Sequence, residues 1–231
     1  MRNLESEIQS ALIAYPSLQL VDAGPLAQLR GKIPFTKSRH GFQESYDVTI
    51  TLTPSYPNRF PLVEETGGRI PKSRDRHVND GGFLCFCAEP EEFLICRRGI
   101  TLNYFIEKIL VPHLAREVYV GIHKRYPEGE RPHPRREANM DFYLEQLGTS
   151  DHTLVLKALC YISSNRLPKD WEPCLCDSGI PYFDCHKKAI SELSHLPEKY
   201  IIREIATQYA ALFLVELART NSPITSNTPN K

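Results

Sequence analysis

One segment constrains this chain more than any other: CLCDSGIPYFDCH, residues 174–186. Cys174 and Cys176 flank one residue, eight residues follow, and Cys185 and His186 are then adjacent. Three thiolates and one imidazole form a complete tetrahedral donor set, the arrangement of structural zinc. Ser178 and Gly179 supply the tight turn that brings the two ligand pairs together. With no open coordination position, the metal is expected to fold the segment rather than catalyse. The bland alternative is a chance cluster of unliganded cysteines. Trp171, Tyr182 and Phe183 lie beside the cluster. They form either an apolar contact face or packing against flanking helices.

Seven cysteines occur in all: Cys85, Cys87, Cys96, Cys160, Cys174, Cys176 and Cys185. An odd number without a leader argues against a disulfide framework and for metal binding or thiol chemistry. The opening MRNLESEIQS has no apolar signal core, and no segment has the unbroken apolar length to span a bilayer. A soluble cytoplasmic protein is expected. The formal net charge is zero and no long basic run occurs, so neither nucleic acid nor membrane is expected as a partner. With 41% apolar and 24% charged residues over 231 positions, the chain can form one or two globular domains.

The pattern along the chain is α+β. Leu4, Ile8 and Leu12 predict an amphipathic opening helix that ends near Pro16. Leu29, Gly31, Ile33 and Phe35 alternate with Arg30, Lys32 and Pro34, a strand signal; a loop over 37–42 follows. Tyr46, Val48, Ile50 and Leu52 then alternate with polar residues, as in a half-buried antiparallel strand. SYPNRFP (55–61) breaks the pattern, and a short strand is expected around Leu62 and Val63. Residues 64–100 show little periodicity, and such stretches in compact domains usually carry function. A helix starts at the N-cap candidate Thr101, with Leu102, Ile106, Ile109, Leu110 and Leu114 as its buried stripe and a kink at Pro112. YPEGERPHPRR (126–136), which includes His133, reads as a solvent-exposed loop, and a short helix around Phe142 and Leu147 closes the first domain. Helix resumes from Leu154, is interrupted by the cysteine cluster, and returns from Tyr200 to Leu217 with Ile201, Ile205, Tyr209, Leu212 and Phe213 on one side. The expected organisation is a domain over 1–150, a helical region with the zinc cluster over 151–219, and a disordered polar tail over 220–231.

The irregular stretch holds three cysteines that admit several readings. Cys85, Cys87 and Cys96 repeat the C-x-C-x8-C spacing of the second cluster, so a second zinc site with His77 as fourth ligand is one. Against it, Arg97 follows Cys96 and the Ser-Gly turn is missing. A buried apolar filler is another, and it suits Cys160 and Cys87 best. Glu89, Glu91 and Glu92 read as a solvated loop, or as a lure for an incoming lysine.

YPNRFPLV (56–63) resembles the YPxxxP segment that follows the sheet in ubiquitin-conjugating enzymes. HVNDGGFLCF (77–86) resembles their His-Pro-Asn segment followed by Gly-x-Ile-Cys-Leu. The resemblance covers roughly residues 1–150 and is closer to the divergent bacterial relatives that occur in ubiquitin-like modification systems linked to antiphage defence. It implies a fold with an N-terminal helix, an antiparallel meander sheet and C-terminal helices. It also implies a cysteine that takes a modifier from an adenylating activating enzyme as a thioester and passes it to a target lysine. Two departures stand out: Val78 replaces the family's proline, and the stretch from Asn79 to Gly82 is short. Cys85 keeps the spacing from Gly82 and Cys87 keeps that from Asn79, so both are candidate nucleophiles; Cys85 is favoured for its immediate neighbours Leu84 and Phe86. By resemblance, Asn79 donates an amide to the oxyanion and His77 braces the loop. Residues 174–186 resemble the SEC-C motif, which implies structural zinc and a protein partner. A non-catalytic binding module on the same fold is the competing functional expectation.

Overall fold

A computed structural model describes residues 3–24, 26–37, 42–127 and 135–220. The chain forms two compact units, which meet in sequence at Ala138 and Asn139.

The first unit opens with α1 (Leu4–Ala14), capped by Asn3, whose side chain accepts the Glu5 and Ser6 amides at 3.0 and 3.3 Å. Ile8 and Ala11 face inward, whereas Leu4, expected in the buried stripe, is exposed. Then comes an antiparallel sheet of β1 (Leu18–Asp22), β2 (Gln28–Lys37), β3 (Phe42–Thr51) and β4 (Leu62–Glu65), paired in sequence order. The meander is the expected one with an edge strand added. β1 carries no alternation because only Leu18 is buried along it. Register follows burial: Leu29 faces Ile50 and Ile50 faces Val63, all three fully enclosed. Gly31 sits where β1 crosses closest, and a Cβ there would lie 1.9 Å from the Ser17 carbonyl oxygen. The tip of the loop expected at 37–42 lies outside the described residues, but Lys37 and Phe42 still pair across it.

The Tyr56–Pro57 peptide is cis. The Tyr56 hydroxyl donates to Glu7 Oε2 at 2.6 Å and to the Ile100 carbonyl at 3.2 Å, tying the proline turn to α1 and to the start of the next helix. Residues 64–100 are more ordered than their lack of periodicity suggested. They hold a 3₁₀ turn (Arg74–Arg76) and α2 (Glu89–Cys96). Pro90 and three glutamates in the first turn of α2 suit a helix start, a signal hidden by the absence of a buried stripe. Thr101 caps α3 (Leu102–Phe105) by accepting the Tyr104 amide at 3.1 Å. The helix widens into a π turn over Ile106–Leu110 and continues as α4 (Val111–His123). The widening falls just before Pro112, which lacks an N–H and would crowd an α-helical carbonyl one turn back. One cluster, from Ile8 through Ile50 and Leu84 to Leu114 and Val118, forms the core.

The second unit contains most of α5 (Arg135–Leu147), then α6 (His152–Ser163), a 3₁₀ turn (Tyr182–Asp184), α7 (Lys187–Leu193) and α8 (Glu198–Thr220). The helix around Phe142 and Leu147, expected to close a first domain at 150, therefore falls in the second unit. Asn139 Nδ2 donates to Tyr200 Oη and Glu204 Oε2, both at 3.2 Å. This polar contact sets the buried stripe of α8 at Tyr200, Ile201, Glu204 and Gln208, leaving the expected Tyr209 exposed. The side chains of Leu212 and Phe213, His133 and nearly all of the tail at 220–231 lie outside the described residues. Among the described residues no helix is long and apolar enough to cross a membrane.

Candidate functional site

Two sites stand out, one in each unit. In the second unit, one ligand atom from each of Cys174, Cys176, Cys185 and His186 lies within 4.8 Å of all the others. His186 Nδ1 is 3.3 Å from Cys174 Sγ and 3.1 Å from Cys185 Sγ, and the sulfurs of Cys176 and Cys185 are 3.5 Å apart. A disulfide holds its sulfurs at about 2 Å, so these thiols are free. A tetrahedral zinc with bonds near 2.3 Å separates its sulfur ligands by roughly 3.8 Å. The donor set and its spacing fit that ion.

The backbone explains the cluster. Pro173 and Pro181 pair as an isolated antiparallel bridge, flanked by Cys174 N–H to Ile180 O at 3.0 Å and Tyr182 N–H to Glu172 O at 2.8 Å. Within this hairpin Asp177 and Gly179 take positive φ, 57° and 76°, and Ser178 lies between them. Loss of water around the sulfur pushes the Cys176 thiol up, but hydrogen bonds from Ser178 and the neighbouring cysteines outweigh it and lower its pKa, which favours a thiolate within the cluster. The other imidazole nitrogen, His186 Nε2, lies 2.9 Å from the Leu147 carbonyl at the end of α5. Donating there leaves Nδ1 as the ligand, the usual outer-shell arrangement for a metal-bound histidine. Tyr182 is buried beneath the cluster, while Trp171 and Phe183 are exposed, so the expected aromatic trio divides between packing and surface.

In the first unit, Val78 and Leu84 form an isolated antiparallel bridge, and Asn79 to Phe83 close the turn between them. Asn79 Oδ1 accepts the amides of Gly81 and Phe83 at 2.9 and 3.0 Å, and Gly82 takes φ 83°. The Leu84 amide donates to the Val63 carbonyl at 2.8 Å, docking the hairpin on β4. Cys85 follows at once, and its amide donates to the His77 carbonyl at 2.7 Å. His77 adopts the left-handed conformation, φ 52°, which costs on the order of 1 kcal/mol for a residue other than glycine. Its ring packs edge-on against Tyr126 with centroids 5.1 Å apart.

Cys85 is thus exposed on a backbone held at both ends. Although the residue is exposed, protein atoms around the sulfur strip part of its water and raise the thiol pKa above the ordinary value, a hydrogen bond from the Asn79 backbone lowers it, and the Glu92 carboxylate raises it again. Because the Asn79 carbonyl oxygen closes the turn, only its Nδ2 end remains to donate toward a reacting group. Cys87 is half-buried and packs on the core; Cys96 lies inside it, its thiol pushed up to about 12 by burial first and by Glu92 second. Among the described residues no second group of metal-ligating side chains exists, so Cys85, Cys87 and Cys96 do not assemble with His77 as a zinc site. Cys160, expected to be a buried filler, is exposed.

Glu89 and Glu92 are engaged with Arg59 rather than solvated. Arg59 Nε and Nη2 each donate to Glu92 at 2.8 Å, Nη1 approaches Glu89 at 3.3 Å, and the guanidinium lies over Phe93. Arg76, Glu117 and Tyr126 also gather behind His77, a group that the spacing of residue types did not reveal. A charged residue on the buried side of α4, beside Leu114 and Val118, was the available signal.

Comparison with known proteins adds no relative: no family model, curated protein or solved structure matches the chain.

Proposed function

We propose that the first unit is a ubiquitin-conjugating-type domain that carries a ubiquitin-like modifier as a thioester on Cys85 and passes it to a lysine of a target protein. The observation that carries this reading is the exposed Cys85 thiol, outside the metal cluster, on a loop docked to the sheet through Leu84 and to His77 through its own amide. The resemblance of YPNRFPLV and HVNDGGFLCF to the conjugating enzymes supplies the reaction class, and their divergent bacterial relatives supply the setting, a cytoplasmic antiphage modification system.

The chemistry suits a thiol that is not strongly activated. The Cys85 thiolate attacks the carbonyl of a modifier already held as a thioester by an adenylating activating enzyme. One C–S bond forms, the other breaks, and the activating enzyme regains its thiol, so the exchange is nearly thermoneutral. A neutral lysine amine then attacks the new thioester. The C–N bond forms, the C–S bond to Cys85 breaks, and the amine's proton leaves with the sulfur or to solvent. Asn79, placed by its turn, would stabilise the oxyanion of that step through Nδ2. His77 holds the Cys85 amide and does not need to move a proton.

In the second unit we assign Cys174, Cys176, Cys185 and His186 to structural zinc. Zinc held by these four residues would close the hairpin and leave no open position for chemistry. The resulting SEC-C-type knuckle would serve as the adaptor that recruits the target or the activating enzyme.

The departures of this loop from the family pattern, Val78 in place of proline and the short stretch from Asn79 to Gly82, favour a second reading, a catalytically silent module that only binds ubiquitin-like proteins. One assay separates them. The protein is incubated with activating enzyme, ubiquitin-like protein and ATP, and adducts are resolved with and without reducing thiol. A thiol-sensitive adduct lost in Cys85→Ala and kept in Cys87→Ala is expected. The reverse pattern moves the nucleophile to Cys87, and no adduct in the wild type leaves the binding module.

A further inference from the structure

We infer that Glu117 on α4 is a positioning residue for the Cys85 loop, acting through Arg76 and Tyr126. The inference deepens the reading of Cys85 as the reactive thiol and rests on it for its functional meaning.

The side chain of Glu117 is fully enclosed, at 0% exposure, yet both of its oxygens are engaged. Oε2 accepts Arg76 Nε at 3.0 Å and also Arg76 Nη2, and Oε1 accepts the Tyr126 hydroxyl at 2.8 Å. A buried carboxylate left without partners is strongly unfavourable, so these contacts fix where both partners sit. Arg76 ends the 3₁₀ turn and is followed directly by His77 in its left-handed conformation. The ring of Tyr126 packs on the His77 imidazole at 5.1 Å, and the His113 ring stands 6.5 Å from it. Glu117 therefore grips the residue before His77 and the ring that packs against it.

His77 passes this constraint on through its carbonyl, which receives the Cys85 amide at 2.7 Å. The route runs from a helix of the core to the exposed sulfur through three contacts. Leu114 and Val118, buried on the same side of α4, keep the helix in place. Building a reactive position on a rigid element rather than on loop contacts alone is how geometry is held to fractions of an ångström. An apolar side chain at 117 could fill the same space, but it offers no directional hold on a guanidinium and a hydroxyl at once.

The test uses the full zinc-loaded chain and two variants, Glu117→Gln and Tyr126→Phe. Tyr126→Phe keeps the ring beside His77 and deletes only the hydroxyl, so it decides the matter if Glu117→Gln does not fold. Amide exchange is followed residue by residue, and alkylation of Cys85 by iodoacetamide is followed across pH. Exchange of the Cys85 amide is expected to rise roughly tenfold, as for loss of one charge-assisted hydrogen bond. The pH profile of Cys85 alkylation should shift with it, while the Ile50 amide in β3 keeps its protection. If the Cys85 amide and thiol respond no more than Ile50 does, Glu117 only stabilises the unit and the inference is overturned. Neither readout involves acyl transfer. Failure of the loading assay would sink the transfer reading and leave this result standing, and the converse also holds.

Discussion

His186 Nε2 meets the carbonyl oxygen of Leu147 at 2.9 Å, so the same imidazole that completes the Cys3His cluster also holds the C-terminal end of α5. The Cys/His cluster is thereby joined to a helix nearly forty residues away in sequence. Lys157 adds a second tie by pairing with Asp177 of the knuckle turn at 3.0 Å, although this contact is exposed and weak.

Metal analysis of the purified chain should therefore give one zinc per molecule, and Cys174→Ser should lose it. Chelation should unfold the knuckle, because the hairpin has little apolar interior of its own beyond Cys174, Leu175 and Tyr182. His186→Cys is the informative variant. It keeps four ligands but deletes the bond to Leu147. Zinc stoichiometry should stay at one, while thermal unfolding of the second unit falls by roughly 4–8 °C, the effect of about 1 kcal/mol in a small domain. A His186→Cys protein as stable as the wild type would show that the Leu147 contact contributes nothing.

Glu92 offers a test of the thiol's electrostatics. Loss of water around the sulfur is the larger cause of the raised Cys85 pKa, and the Glu92 carboxylate adds to it. Glu92→Gln removes the charge and keeps an acceptor for the Phe60 amide, which Glu92 Oε1 receives at 2.8 Å. The Cys85 pKa should then fall and its thiolate fraction at neutral pH rise, so alkylation should speed up. A slower or unchanged rate in a folded variant would contradict this placement of the charge.

Parts of this structure were legible in the sequence for identifiable reasons. The four side chains of the Cys/His cluster lie within thirteen residues, so spacing alone brought them together. β3 was legible because its Tyr46, Val48 and Ile50, and Leu52 just beyond its end, all face the core. The surroundings of Cys85 are local in sequence: the His77 carbonyl, the Asn79 turn and the Leu84 bridge. β1 was hidden because an edge strand with one buried residue has no period to read. α2 was hidden because Glu89 and Glu92, which look solvated in sequence, face Arg59 some thirty residues upstream. Glu117 was hidden for the same reason, with Arg76 forty-one positions away. Long-range charge pairing leaves no pattern in a single sequence.

Gly31→Ala should be among the most damaging single-methyl changes in the first unit. The added carbon would lie 1.9 Å from the Ser17 carbonyl, which is backbone and cannot swing aside. Gly31 pairs with both Leu18 and Val48, so relief would require parting β1 from β2 or distorting β2 against β3. A loss of roughly 3 kcal/mol or more is expected in urea unfolding of the first unit. Gly31 has φ 152° and Gly68 has φ 73°, but nothing lies within 4 Å of a carbon added at Gly68, so Gly68→Ala makes the matched control.

His113 should make the first unit sensitive to mild acid. Its ring is buried against Phe86 at 5.1 Å, and among the described residues its Nε2 has no hydrogen-bond partner. Burial first, then the nearby His77, Arg116 and Arg76, push its pKa from an ordinary 6.5 down to about 3. In the unfolded chain the ring takes up a proton near pH 6.5; in the folded chain it stays neutral until about pH 3. Between those values the unfolded state holds more protons, so stability falls as pH falls. The contribution is fully present above pH 6.5 and declines through the window to about pH 3. At pH 5 the loss from this one residue is on the order of 2 kcal/mol relative to neutral pH. Urea unfolding of the wild type and of His113→Phe at pH 7.5 and pH 5 checks it. The phenyl ring can keep the contact with Phe86 and has nothing to titrate, so the variant should show a shallower pH dependence by about that amount. Equal slopes for the two proteins would mean that His113 is protonated in the folded state, with a counter-charge or water at Nε2.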